Sequence, residues 1–151
     1  RNSVELLHLI GEMLSDIYDF KDVVVKNKGN PSRPCPLNLL EEMSEKCDVI
    51  VTSSGDWGSC SSCSVHDGIA FEKQGVPTAV VCTEPFESSA KAMAKICGIP
   101  DYPFILLPHP LGGLAAEALQ DCAAQAVSEV TRILLCSNSE GYWLLKLDYL
   151  Q

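Results

Sequence analysis

The chain has 151 residues, of which 46% are hydrophobic and 21% charged, a composition typical of one globular domain. A net charge of -9 argues against nucleic acid or an anionic membrane surface as the main partner. The longest apolar runs are far too short to span a bilayer, which argues against a membrane protein.

Hydrophobic periodicity predicts an alternation of helices and strands along the chain. Apolar residues at helical spacing predict a helix over 3–19, and the β-branched run at 22–26 predicts a strand. A turn-rich segment with three prolines at 27–36 precedes a helix at 37–46. The remaining predicted elements are strands at 47–52, 78–83 and 104–107 and helices at about 65–74, 86–97 and 114–135.

Four strand–helix alternations with uniformly apolar strands indicate a parallel sheet with helices on both faces. We therefore predict a single α/β domain over 1–151, with the three-layer architecture of flavodoxin- or Rossmann-like proteins. The chain opens on Arg1 instead of methionine, so we expect either a trimmed chain or a fragment, which could lack an N-terminal strand. The tail at 137–151 matches no element, although Trp143 and its leucine neighbours need burial on this domain or on a partner.

The distribution of the eight cysteines indicates a reducing, cytoplasmic environment. Five of them lie in apolar or helical patterns, where a free cysteine behaves as a small hydrophobe: Cys47, Cys82, Cys97, Cys122 and Cys136. A secreted disulfide scaffold would be shorter and richer in loops.

Cys60 and Cys63 form a Cys-x-x-Cys pair between a predicted strand and a predicted helix. The unpaired N–H groups and partial positive charge of a helix N-terminus stabilise a thiolate. In open α/β sheets, ligands bind beyond the carboxyl ends of the strands. The loops expected there carry basic, hydroxyl, thiol, carboxylate and imidazole groups: Lys26, Lys28, Arg33, Ser53, Ser54, Cys60, Cys63, Thr83, Glu84 and His109. Such a crevice could bind a small anionic metabolite and attack it with sulfur.

Each of these residues also has a purely structural interpretation. The Cys-x-x-Cys spacing can arise by chance in a cysteine-rich chain, and the serines can cap turns or a helix instead of binding an anion. Arg33 can be a surface charge, Glu84 a helix N-terminal acid, and His109 part of a rigid turn between two prolines.

The sequence bears on two classes of cofactor. Cys60, Cys63 and His66 could supply three zinc ligands with His109 or Cys35 as a fourth, but structural zinc usually needs a second ligand pair. We therefore predict no metal. We also predict no nucleotide cofactor, because neither a Gly-x-Gly-x-x-Gly nor a phosphate-loop motif is present.

Three stretches resemble the UGSC family of selenoproteins and their cysteine homologues, and the similarity extends over roughly 31–114. They are Gly55-Asp56-Trp57-Gly58-Ser59-Cys60-Ser61-Ser62-Cys63-Ser64-Val65-His66-Asp67-Gly68, the segment 76–86 and Pro108-His109-Pro110-Leu111-Gly112. The selenocysteine subunit of glycine and related amino-acid reductases is more distantly similar. In the family, selenocysteine or cysteine precedes Gly-Ser-Cys, whereas this chain has Trp57. Selenocysteine is encoded by UGA and tryptophan by UGG, so Trp57 marks either a recoded selenocysteine codon or a natural loss.

The resemblance implies a thiol- or selenol-dependent oxidoreductase or reductive-cleavage enzyme. A selenol at position 57 would attack first and Cys60 would resolve the intermediate; with Trp57, the Cys60–Cys63 pair remains. We expect His109 to donate a proton and Arg33, with the loop residues Ser53, Ser54, Gly58, Ser59, Thr83 and Glu84, to bind the substrate. The alternatives are a non-catalytic substrate-binding subunit of a multi-protein reductase and a redox-inert binder. A redox partner protein and a homo-oligomer are further expectations.

Overall fold

The computed structural model describes residues 2–53 and 56–136. The described residues form five α-helices: α1 (Asn2–Ile17), α2 (Leu37–Lys46), α3 (Gly58–Lys73), α4 (Glu87–Ile96) and α5 (Ala116–Cys136). A single 3-10 turn, Glu84–Phe86, leads into α4. None of the helices in this part of the chain is both long and apolar enough to cross a bilayer. The predicted tail 137–151 lies outside the described residues.

Three parallel strands in the order β1–β2–β3 form the sheet: β1 (Ile50–Ser53), β2 (Thr78–Thr83) and β3 (Ile105–Leu107). Val51 of β1 pairs with Ala79 of β2, and Val81 of β2 pairs with Ile105 of β3. The predicted mixed α/β class and parallel sheet are confirmed. The more specific flavodoxin- or Rossmann-like architecture stays a prediction.

Both faces of β2 are buried, because successive residues of a strand point to opposite faces. Ala79 and Val81 belong to a core with residues of α1 and α5, whereas Val80 and Cys82 belong to a core with residues of α3 and α4. A smaller cluster joins Met43 of α2 to the start of β1 and the end of α3. Burial on both faces explains why β2 is a continuous apolar run.

The predicted strand at 22–26 is wrong. Residues 22–28 form no helix, strand or turn, and Val23, Val24 and Val25 are exposed. No backbone–backbone hydrogen bond involves this segment within the described residues. A β-branched run becomes a strand only when a neighbouring strand supplies partners, and β propensity alone does not provide them.

The predicted start of the helix after the cysteines is also wrong. We expected a helix over about 65–74, whereas α3 begins at Gly58 and contains both Cys60 and Cys63. Serine has only modest helix propensity, but here tertiary contacts compensate. Ser61 and Ser64 are buried, and the Ser62 hydroxyl donates to the Ser89 carbonyl of α4 at 3.2 Å. The cysteines therefore lie in the first two turns of the helix and not in a loop ahead of it.

Candidate active site

Position 57 is the residue that immediately precedes α3. Trp57 has extended backbone angles (φ -142°, ψ 146°), is 71% exposed, and makes no side-chain hydrogen bond to the helix. An indole has no oxygen that could accept from the free N–H groups of the first turn. Position 57 is therefore where a negatively charged atom would receive the most stabilisation from α3.

Cys60 lies one helical turn after position 57. The Ser61 N–H donates to the Trp57 carbonyl at 3.1 Å, which closes the turn that contains Cys60. Cys60 is 2% exposed, and its Sγ lies 3.4 Å from the Ser32 hydroxyl oxygen. The first turn of α3 thus combines an exposed position with a buried thiol.

Cys63 lies in the next turn and is half-buried. Burial is the largest influence and raises the pKa of the Cys63 thiol above its ordinary value; Lys28 lowers it, and Asp67 and Cys60 raise it. The direction is opposite to the thiolate stabilisation that the sequence analysis expected from the helix N-terminus.

Cys60 and Cys63 are both free thiols. Residues three apart in a helix have Cβ atoms about 5–6 Å apart. A disulfide needs Cβ atoms about 3.5–4.5 Å apart. A Cys60–Cys63 disulfide would therefore require the first turns of α3 to move.

Asp56 and His109 meet beside position 57. The Asp56 carboxylate accepts hydrogen bonds from the N–H groups of Leu111, at 2.9 Å, and Gly112. His109 Nδ1 lies 3.7 Å from Asp56 Oδ1 and 3.4 Å from Thr83 Oγ1. The His109 ring also contacts Phe86 edge-on. The two polar contacts involve Nδ1, which leaves Nε2 as the nitrogen to exchange a proton with a substrate.

The proline-rich loop, residues 27–36, contacts α3 at its first turn and again at Asp67, in the middle of the helix. Lys28 Nζ lies 2.5 Å from Asp67 Oδ2, and the Cys35 N–H donates to Asp67 Oδ1 at 2.7 Å. The hydroxyl oxygens of Ser32 and Ser59 lie 3.0 Å apart. The loop therefore contacts α3 at two levels, beside Cys60 and at Asp67.

The remaining predicted residues are placed as follows. Thr83 is buried at the end of β2, and Ser53 ends β1. Arg33 and Glu84 are exposed. Gly58 begins α3, and a Cβ there would lie 3.1 Å from Ser89 Oγ, so its observed role is packing. Ser54 lies outside the described residues.

Sequence reasoning missed Asp56 and Asp67 as site residues and included Lys28 only as one of several basic residues. Asp56 directly precedes position 57, and Asp67 lies four residues after Cys63. The i, i+4 spacing places Cys63 and Asp67 on one helix face, a signal that became readable only once the helix start was known.

The side chains around the start of α3 do not form a metal site. Among residues 2–53 and 56–136, no three His, Cys, Asp or Glu side chains are grouped so that they could hold a metal ion. Cys60, Cys63 and His66 are thus not arranged as a ligand set.

No curated protein and no solved structure matches this chain. A family model described as the UGSC family matches residues 1–136. That span is most of the chain and includes position 57, both cysteines, Asp56, His109 and the proline-rich loop. The chain therefore belongs to the UGSC family.

Proposed function

We propose that this chain has the scaffold of a thiol- or selenol-dependent oxidoreductase or reductive-cleavage enzyme, centred on position 57. One observation carries the proposal: position 57 is exposed at the N-terminus of α3, and a buried thiol, Cys60, follows one turn later. An exposed nucleophile needs stabilisation of its anion, whereas a resolving thiol needs only to lie close to the nucleophile that it attacks. Because position 57 is a tryptophan, the chain lacks the exposed nucleophile, and its catalysis of this reaction is impaired.

In a relative with cysteine or selenocysteine at this position, the anion at 57 attacks an electrophilic atom of the substrate and displaces a leaving group. The Cys60 thiol then loses its proton and attacks the chalcogen at 57. A bond between positions 57 and 60 forms, and the bond to the substrate fragment breaks. The fragment leaves with the bonding electron pair and takes up the proton that Cys60 lost, which gives the reduced product. An external dithiol, or a redox partner protein, supplies the two electrons that restore the pair.

His109 is the proposed proton donor to the leaving group. The Thr83 hydroxyl oxygen, at 3.4 Å, and the Asp56 carboxylate, at 3.7 Å, both lie on the Nδ1 side of the ring, so Nε2 is the nitrogen proposed to act on the substrate. Protonated at both nitrogens, His109 could deliver the Nε2 proton. Because Asp56 also accepts from the Leu111 N–H, it couples the loop after β3 to the residue before position 57.

The proposed substrate is a small anionic metabolite. Arg33, in the turn of the proline-rich loop, would supply the charge, and Ser59, in the first turn of α3, a hydroxyl. Ser53, Ser54, Gly58, Thr83 and Glu84 complete the proposed substrate-binding set. The chemistry requires neither metal nor nucleotide. A cytoplasmic location and self-association are kept as predictions.

A second candidate is a non-catalytic, substrate-binding subunit of a multi-protein reductase. Two observations favour it: Trp57 exposes a large apolar surface beside the site, and burial raises the pKa of the Cys63 thiol. An exposed tryptophan is a frequent anchor of protein interfaces. In this alternative the chain binds the substrate and a partner supplies the sulfur or selenium.

The test is to restore the missing group. Trp57→Cys should create a thiol that reacts with an alkylating agent at pH values well below the ordinary pKa of cysteine, because the first-turn N–H groups stabilise the thiolate. Trp57→Ser serves as the matched control, since it caps the helix without adding a thiol. Alkylation of the introduced thiol against pH is followed by peptide mass spectrometry, and dithiol-dependent reduction of a model disulfide gives the turnover.

Activity that appears in Trp57→Cys and disappears on adding Cys60→Ser would support the proposal. An introduced thiol with ordinary pH dependence and no turnover would reject it in favour of the binding subunit. Independently, a native UGA codon at position 57 would support recoding, whereas UGG in the source gene would show a natural loss.

A further inference from the structure

Asp67 is a buried carboxylate that the proposed reaction does not use. It is 3% exposed and lies in the middle of α3, yet it binds two groups of the proline-rich loop. Its Oδ2 pairs with Lys28 Nζ and its Oδ1 accepts from the Cys35 N–H. His66 Nδ1 lies 3.3 Å from the same Oδ1. One side chain therefore holds both ends of the segment 28–35.

The Lys28–Asp67 ion pair differs from the other ion pairs of Lys or Arg in the described residues. Its side chains are 19% and 4% exposed, whereas those of Lys26, two residues before Lys28, and its partner Glu42 of α2 are 41% and 33% exposed. Exposed pairs contribute little to stability. Removing one partner of a buried pair is costly, because the other charge stays buried without compensation.

The segment between these two anchors covers Cys60. Ser32, midway between Lys28 and Cys35, places its hydroxyl oxygen 3.4 Å from Cys60 Sγ and 3.0 Å from the Ser59 hydroxyl oxygen. The proline-rich loop has no regular secondary structure that would hold it in place. Its position over α3 within the described residues thus depends on a few contacts, of which those to Asp67 are the most buried.

We propose that Asp67 and Lys28 are positioning residues that hold the proline-rich loop closed over Cys60. The inference rests on the proposed function for the role of Cys60 and deepens it by naming what assembles the site. With the pair intact, Ser32 and Arg33 are held beside the first turn of α3 and Cys60 is shielded. With the pair broken, the loop separates from α3 and solvent reaches Cys60.

The experiment measures alkylation of Cys60 by iodoacetamide in the full chain with Trp57 present, again by peptide mass spectrometry. Asp67→Asn and Lys28→Met each remove one charge, and the Asn side chain can still accept from the Cys35 N–H. The double exchange Lys28→Asp with Asp67→Lys restores an opposite-charge pair. Lys26→Met is the matched control, because it removes a neighbouring but exposed ion pair.

Cys82 serves as an internal reporter, since it is 0% exposed in the sheet and reacts only when the whole domain unfolds. We expect Cys60 to react at least about tenfold faster in Asp67→Asn and Lys28→Met, with the Cys82 rate unchanged. The Cys60 alkylation rate in the Lys26→Met control should stay within about twofold of the parent rate. In the double exchange, the rate should fall part of the way back to that of the parent.

Two results would overturn the proposal: an unchanged Cys60 rate in both single variants, or a Cys60 rate that rises only in step with that of Cys82. The proposed function fails separately, through an unreactive thiol in Trp57→Cys. The two failures are distinguishable because the loop experiment never uses position 57.

Discussion

At the scale of single residues, the site depends on close approaches that only particular side chains permit. Asp56 reaches the backbone of the loop after β3, where a Cβ at Gly112 would lie 2.7 Å from Asp56 Oδ2. That distance is shorter than real carbon–oxygen contacts, so any side chain at position 112 requires the Asp56 carboxylate or the loop to shift. At the neighbouring Gly113, a Cβ would meet nothing within 4 Å.

These two glycines make a matched pair for mutagenesis. Gly112→Ala should lower the free energy of unfolding by about 1–3 kcal/mol, because the new methyl group displaces a carboxylate that accepts two N–H groups. Gly113→Ala should change it by no more than about 0.5 kcal/mol. Urea denaturation of both variants checks the prediction, and equal losses in the two would show that the Asp56 contact does not stabilise the fold.

At the scale of elements, α3 carries the candidate site and must pack closely on the sheet. Gly68 makes this possible: a Cβ there would lie 2.6 Å from the Tyr102 hydroxyl and would also collide with Val80 Cγ2. Val80 and Tyr102 are both buried, so neither can move into solvent to make room. A glycine inside a helix normally weakens it, and here the close helix–strand contact explains its presence.

Gly68→Ala should therefore destabilise the protein by about 1–3 kcal/mol or more, despite the better helix propensity of alanine. Gly11→Ala is the control in α1, where the nearest atom to the new Cβ is Val23 Cγ1 at 3.6 Å, an ordinary contact. That variant should be neutral or up to about 1 kcal/mol more stable. Thermal unfolding distinguishes the two, and a Gly68→Ala protein as stable as the parent would contradict the packing argument.

At the scale of the whole molecule, burial has the same effect on four thiols that lie in different parts of the fold. Burial is the main cause that raises the pKa values of Cys35, Cys47, Cys63 and Cys122 above the ordinary 9.0. The folded chain therefore retains these protons at a pH where the unfolded chain has already released them. Their contribution to stability is complete below pH 9.0 and is lost as the pH rises through the folded-state values.

Urea denaturation at several pH values from about 8 to about 10 should thus show a free energy of unfolding that falls on the alkaline side. Lysines and tyrosines begin to titrate in the same range, so a variant with Cys35→Ala and Cys63→Ala is needed for comparison. Its stability should fall less steeply with pH than that of the parent. Identical slopes in the two proteins would exclude the thiols as the cause.

Much of the architecture was predictable because local pattern determines it. The spacing of Leu6, Ile10 and Leu14 defines the buried face of α1, and the continuous apolar run of β2 is typical of a strand buried on both faces. The wrong predictions concern segments whose secondary structure depends on the elements that pack against them and not on their own residues. The valines at 23–25 have no strand beside them in the described residues, and the serines of α3 become helical because neighbouring elements cover them.

The candidate site likewise has features that neighbouring residues of the sequence predict and features that only the fold creates. By itself the sequence determined the class of fold and the family resemblance, and it made position 57, Cys60 and Cys63 the candidate site residues, because these inferences depend on residues adjacent in the chain. Only the tertiary structure decided that Asp56 reaches a backbone 55 residues away and that Lys28 pairs with Asp67 across 39 residues. The physical reason is that hydrogen bonds and ion pairs act over a few ångströms in space, whatever the separation along the chain.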